Sequence, residues 1–192
     1  MIDSNLLLTI DRNVIISVIN EESGFEFAKK LFNEHNNGNL SIAVSAANRV
    51  ENNKKNEKIQ SISVVIDMCR DAGLILSEND FLDYPLDWEM GLWEHGLIGK
   101  EEYELELKIH NLLFPSVLTF RSEDQPIEKQ KKITNAKCDV FALWGHIYHK
   151  RDYFVTNDRN FHKKKAKLER LGANRIIFPK QMLELVSITK NT

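Results

Sequence analysis

Tyr153-Phe154-Val155-Thr156-Asn157-Asp158 is a short apolar run that ends in a hydroxyl, an amide and a carboxylate. Aromatic and β-branched residues followed by turn formers predict a buried strand over Tyr153–Thr156 that delivers Asp158 at its carboxyl end. Near the other end of the sequence, Leu7-Leu8-Thr9-Ile10 runs into Asp11 in the same way. Ligands of an open parallel sheet sit outside the carboxyl ends of its strands. The two aspartates are therefore expected on one edge.

Outward from these two runs, strand and helix patterns alternate. Val14 to about Asn20 and Phe25–His35 read as helices, Ile42–Ser45 as a strand, and Ala46 to about Cys69 as a helix. Leu74–Leu76 reads as a strand. Asp139–Tyr148 is expected to be a helix opened by Asp139, and Ala166–Leu171 a helix ended by Gly172. Arg175–Phe178 is the last strand, closed by Pro179. That order predicts an α/β fold, a three-layer α/β/α sandwich around a parallel sheet. The stretch 77–132 breaks the rhythm, with a helix over Glu101–Leu113 stopped by Pro115. It is expected to be a helical insertion within a single domain spanning 1–192.

Composition bounds the function. The 192 residues are 42% hydrophobic and 28% charged, ordinary for a globular chain. Two cysteines, Cys69 and Cys138, exclude a disulfide framework and a cysteine-rich zinc site. The run Leu6–Ile10, flanked by Asp3 and Asp11, is too short for a signal sequence, and no stretch is long enough to span a membrane, so a cytoplasmic protein is expected. The net charge of −2 hides a bipolar chain. Lys129 to Lys180 holds fourteen Lys/Arg against four Asp/Glu, whereas Asp67 to Glu106 holds twelve carboxylates against two basic residues. A basic block of this size suits a polyanion, with Arg159, Lys163, Lys164 and Lys165 as candidate contacts, and the run Lys163–Lys165 reads equally well as a solvated helix face. The acidic stretch is expected to lie on the far side or to cover the site.

Asp139 at its helix start and Glu51 beyond strand Ile42–Ser45 join Asp11 and Asp158 at the same edge. Four crowded carboxylates repel one another, and a hard divalent cation, Mg²⁺ or Mn²⁺, is the economical reason to gather them. Any single one of them is more often a helix cap than a ligand.

Four blocks then resemble the PIN-domain family: Leu7-Leu8-Thr9-Ile10-Asp11-Arg12-Asn13-Val14, Val44-Ser45-Ala46-Ala47-Asn48-Arg49-Val50-Glu51, Lys137-Cys138-Asp139-Val140-Phe141-Ala142-Leu143, and Phe154-Val155-Thr156-Asn157-Asp158-Arg159-Asn160-Phe161. They fall in the family's order, over roughly 6–76 and 133–185, and the central insertion has no counterpart. Asn160 stands where many members carry a further Asp. The resemblance implies a Mg²⁺- or Mn²⁺-dependent endoribonuclease. Asp11, Glu51, Asp139 and Asp158 are then the catalytic metal ligands, and Asn13, Thr156 and Asn157 position a ligand or phosphate. It also implies a toxin-like role with an antitoxin partner and a homo-oligomer. The alternative is a catalytically inactive binding module on the same fold.

Other patterns carry less. His146 and His149, at i and i+3, are a thin case for zinc, or for a metal that His146 shares with Asp139 seven residues earlier. Trp88, Trp93 and Trp144 read as core sooner than as base-stacking platforms. Neither a dinucleotide-binding nor a P-loop glycine pattern occurs.

Overall fold

The computed structural model describes residues 6–47, 62–85, 96–97, 100–119 and 125–189. Strand β1 is Leu7–Ile10, followed by helices α1 (Arg12–Ile19) and α2 (Phe25–Asn36), strand β2 (Ser41–Ser45) and helix α3 (Ile62–Asp71). The middle of the chain supplies β3 (Phe81–Leu82), β4 (Tyr84–Pro85), β5 (Gly96–Leu97) and α4 (Lys100–Leu113). The last part gives α5 (Ile127–Tyr148), β6 (Tyr153–Val155), α6 (Arg159–Arg170), β7 (Arg175–Ile177) and α7 (Pro179–Thr189).

Five strands form one parallel sheet in the order β3-β2-β1-β6-β7. The chain leaves β1 toward β2 and β3, then returns to the other side of β1 for β6 and β7. The order reverses between β1 and β6, so the crevice at their carboxyl ends is the topological switch point. Leu8 pairs with Ile42 on one side and Tyr153 on the other, and Ile10 pairs with Val155. Leu8, Thr9 and Ile10 are all buried, as a central strand covered on both faces requires. Thr9 and its partner Phe154 face α5 and α6: the Phe154 ring lies 5.5 Å from His146 and 5.0 Å from Phe161. On that side α4 packs on α5 and α6, whereas α1, α2, α3 and α7 pack on one another.

Buried polar groups lock the strand ends opposite the switch point. Arg151 is 8% exposed, and its guanidinium donates to the carbonyls of Leu8 and Ser41, bracing β1 against β2. On the outer strand, Ile176 donates its N–H to Glu169 Oε1 at 3.1 Å, and Glu169 also faces Lys165 Nζ at 3.7 Å.

Three expectations are corrected. Leu74–Leu76 is not a strand. The backbone N–H of Ile75 goes to Asn36 Oδ1, and His35 Nε2 meets the Ile75 carbonyl, so side chains at the end of α2 consume the groups a ladder needs. The third strand is Phe81–Leu82 instead, paired with Val44 and Ser45. Part of the 77–132 stretch therefore belongs to the main sheet, and Tyr84, fully buried, stacks on Phe141 at 5.6 Å. Second, Asp139 does not open its helix: α5 begins at Ile127, because the Lys/Gln-rich start of the helix carries little apolar periodicity. Third, Pro179 opens α7, where its missing N–H costs nothing, and α6 starts at Arg159, ahead of Ala166. Among the described residues no helix is long and apolar enough to cross a membrane.

Candidate functional site

The short strands β1 and β6 end side by side, and their last residues set the site. Asp11 donates its backbone N–H to Val155 O at 3.0 Å, and Thr156 donates its own to Ile177 O at 3.1 Å, so the exits of β1, β6 and β7 are pinned together. Thr156, fully buried, donates its hydroxyl to Asp11 Oδ2 at 2.6 Å. The same hydroxyl oxygen accepts from the Asp158 N–H at 2.9 Å and from Asn13 Nδ2 at 3.1 Å. Asn13 Nδ2 also donates to Asp11 Oδ2 at 2.7 Å, and Asn13 Oδ1 accepts from the Asn157 N–H at 3.1 Å. One hydroxyl and one amide thus hold the Asp11 carboxylate, 4% exposed, against the turn that presents Asp158. The 2.6 Å length marks a charge-assisted bond to an ionised acceptor.

Asp158 caps α6, its Oδ1 accepting from the Asn160 N–H at 2.7 Å. Helix capping and a site role are compatible, because the cap occupies one carboxylate oxygen and leaves Oδ2 without a hydrogen bond among the described residues. Two groups not anticipated from the sequence brace this turn. Ser17 Oγ accepts from Asn157 Nδ2 at 3.3 Å. His162 Nε2 donates to the Thr156 carbonyl at 2.9 Å while its ring stacks on Phe178, 3.5 Å between centroids. Ser17 is 140 residues from Asn157 and has no local signature. His162 directly follows Phe161, the last residue of the fourth PIN-like block.

Asp139 lies within α5, half-buried. Seven residues later on the same face, His146 Nδ1 meets Thr9 Oγ1 of β1 at 3.0 Å, so Asp139 sits about 10 Å further up that face. Cys138 Sγ, beside it, lies 3.7 Å from Ala47 O, just past the carboxyl end of β2. Asp139 is therefore carried toward the same edge as Asp11, although by a helix interior and not by a helix start. Glu51, Trp88 and Trp93 lie outside the described residues.

Asn13 and Thr156, expected to position a ligand, spend their polar atoms within the site, where they orient Asp11 and the Asn157–Asp158 turn. His146 and His149 engage different partners, and both ring nitrogens of His146 are already taken. His146 is fully buried, with Nε2 donating to Ala173 O at 2.9 Å and Nδ1 accepting from Thr9. Burial pushes its pKa down to about 4, the Ala173 carbonyl opposing. His149 Nε2 turns to Asp83 Oδ2 at 3.2 Å. Trp144 is core, with Nε1 donating to Glu102 O.

Arg159 opens α6 immediately after Asp158 and is exposed, as is Lys163; Lys164 and Lys165 are half-buried. The basic row thus starts at the site and runs away from it. The acidic helix α4 reaches the site with its carboxyl end only. Asn160 Nδ2 donates to the Leu113 carbonyl at 3.0 Å, a bond that an aspartate at this position cannot make.

The oxygen-only donors Asp11 and Asp158 suit a hard divalent cation. Among the described residues, no three His, Cys, Asp or Glu side chains stand in metal-ligand geometry. Compared with family models, curated proteins and solved structures, the chain matches none. The functional reading therefore rests on these residues.

Proposed function

We propose that the chain is a metal-dependent endoribonuclease of the PIN type, hydrolysing RNA phosphodiester bonds. The observation that supports this most is the Thr156 hydroxyl, which ties Asp11 to the turn carrying Asp158 at the switch point of the sheet. Asp11 and Asp158, with Asp139 and Glu51, would hold Mg²⁺ or Mn²⁺. The bound ion would lower the pKa of a water and neutralise charge on the phosphoryl group. Asn13 and Thr156 keep Asp11 in one rotamer, and His162 and Ser17 hold the turn beside it. Arg159, Lys163, Lys164 and Lys165 would bind the RNA backbone, adding affinity with little sequence preference. An antitoxin protein and a second copy of the chain are partners that the family resemblance adds to this reading.

A binding module without catalysis is the second reading. The two donors on Asp11 Oδ2 favour it, since a carboxylate oxygen already held by Thr156 and Asn13 has less need of a cation. Calorimetric titration of Mn²⁺ into the wild type and Asp11→Asn separates the two. Saturable binding that the substitution abolishes, with Mn²⁺-dependent RNA cleavage that falls at least about tenfold in Asp158→Asn, supports the nuclease. A wild type that binds no Mn²⁺ and cleaves no RNA supports the module.

A further inference from the structure

Asn160 lies in the fourth PIN-like block, yet its side chain serves helix α4, which none of the four blocks contains. The last carbonyls of an α-helix have no partner within the helix and must find one outside it. At the end of α4, the His110 carbonyl accepts from the Phe114 N–H at 2.7 Å, and the Leu113 carbonyl accepts from Asn160 Nδ2 at 3.0 Å. Leu113 is 4% exposed, so water is poorly placed to replace the amide. Nearer the start of α4, Trp144 Nε1 donates to the Glu102 carbonyl at 3.1 Å. The helix is therefore seated from α5 near one end and from α6 at the other.

The same residue also holds the site. The backbone N–H of Asn160 donates to Asp158 Oδ1 at 2.7 Å while its side-chain amide holds Leu113. Both donors sit on one short side chain and its own backbone, in the first turn of α6. A shift of the end of α4 must either break the 3.0 Å bond or turn Asn160, and with it the N–H that Asp158 accepts. That N–H fixes one carboxylate oxygen and so decides where the other one stands. An aspartate at position 160 would set a carboxylate against the Leu113 carbonyl, and the link would be lost.

We propose that Asn160 is a positioning residue that couples the seat of the inserted helix α4 to the pose of the Asp158 carboxylate, so that the insertion regulates the site it borders. Such coupling is reciprocal. A cation taken by Asp158 tightens the end of α4, and a loosened α4 weakens the cation site. The cation half rests on the nuclease reading; the coupling of α4 to Asp158 does not.

The test follows hydrogen exchange of the full chain by mass spectrometry, over a peptide covering Ile109–Phe114 and a control peptide covering Lys100–Tyr103. Without divalent metal, Asn160→Leu keeps the backbone N–H on Asp158 and fills the side-chain volume. It should speed exchange over Ile109–Phe114 about fivefold, the typical effect of one hydrogen bond, with the control peptide unchanged. Asn160→Asp keeps the shape and polarity of the side chain, so it guards against a folding defect, and it must match Asn160→Leu because a carboxylate cannot donate. Asp158→Ala should also speed exchange over Ile109–Phe114, and the double variant with Asn160→Leu should exchange no faster than Asn160→Leu alone. A merely structural Asn160 gives additive effects. Saturating Mn²⁺ should slow exchange of this peptide in the wild type and leave it unmoved in Asn160→Leu. A wild type that binds no Mn²⁺ overturns the nuclease reading, and the metal-free cycle alone then decides the coupling. Additive effects in that cycle, or wild-type exchange in Asn160→Leu, overturn the coupling. Mn²⁺ that binds the wild type without slowing the end of α4 overturns it as well.

Discussion

Replacing Thr156 by Val keeps the shape of the side chain and removes the oxygen on which the site turns. That oxygen gives one hydrogen bond, to Asp11 Oδ2 at 2.6 Å, and receives two, from Asn13 Nδ2 and the Asp158 N–H. Thr156 is fully buried and Asp11 nearly so, so water does not freely replace what is lost. The charge-assisted bond and the stranded N–H donors together should cost about 3 kcal/mol. For a chain of this length that lowers the melting temperature by about 6–12 °C. Thr156→Ser keeps the oxygen and loses one methyl, which should cost only about 1 kcal/mol. Thermal and urea melts of the three proteins measure the difference, and Mn²⁺ titrations should show affinity following the hydroxyl and not the methyl. If Thr156→Val melts with the wild type, or if Ser is as damaging as Val, the hydroxyl does not tie the two aspartates together.

Acid should act through His146. Its folded pKa, about 4, lies below the unfolded value of 6.5, so the neutral ring contributes fully above pH 6.5. That stability is lost as pH falls from 6.5 toward 4, at about 1.4 kcal/mol per unit; the pH dependence of urea melts across this window should flatten in His146→Gln, and an unchanged slope assigns the loss to other groups. Gly145→Ala places a Cβ 2.7 Å from the Asp83 carbonyl and 3.2 Å from Leu82 Cβ. The clash should cost about 1–3 kcal/mol in a thermal melt despite the better helix propensity of alanine, and a variant as stable as the wild type would mean that α5 does not seat on β3. Changing Lys163, Lys164 and Lys165 to Gln should flatten the dependence of log K for RNA on log salt by about 1.4, two phosphate contacts, because Lys165 is already engaged with Glu169. Filter binding at several salt concentrations reads the slope, and identical slopes would make the row an ordinary solvated helix face.

The parts of the fold visible in the sequence are those where local chemistry decides. Leu7–Ile10 and Tyr153–Val155 are strands because short β-favouring runs meet polar turn formers, and their termini carry Asp11 and Asp158. Elements placed by distant partners are less legible. Leu74–Leu76 has strand composition, but His35 and Asn36 occupy its backbone, and the two residues Phe81–Leu82 take its place on the sheet. Asp139 looks like a helix opener because apolar residues begin there, although three further turns precede it. The placement of Asp11 and Asp158 at strand ends is legible in the sequence, and the groups that hold them only in part. Thr156 and Asn13 stand out beside the aspartates, whereas Ser17 acquires its role from a segment far away in the chain.

A parallel sheet with an open outer strand invites a foreign strand to extend it, and the first group such a strand would seek on β7 is the N–H of Ile176. The Glu169 carboxylate already holds that donor and sets a negative charge in the path of any newcomer. The same carboxylate faces Lys165, a member of the basic row. Protection from self-association and attraction for a polyanion thus draw on one pair of side chains. Chain partners that neutralise the row would also disturb the stopper at the edge of the sheet.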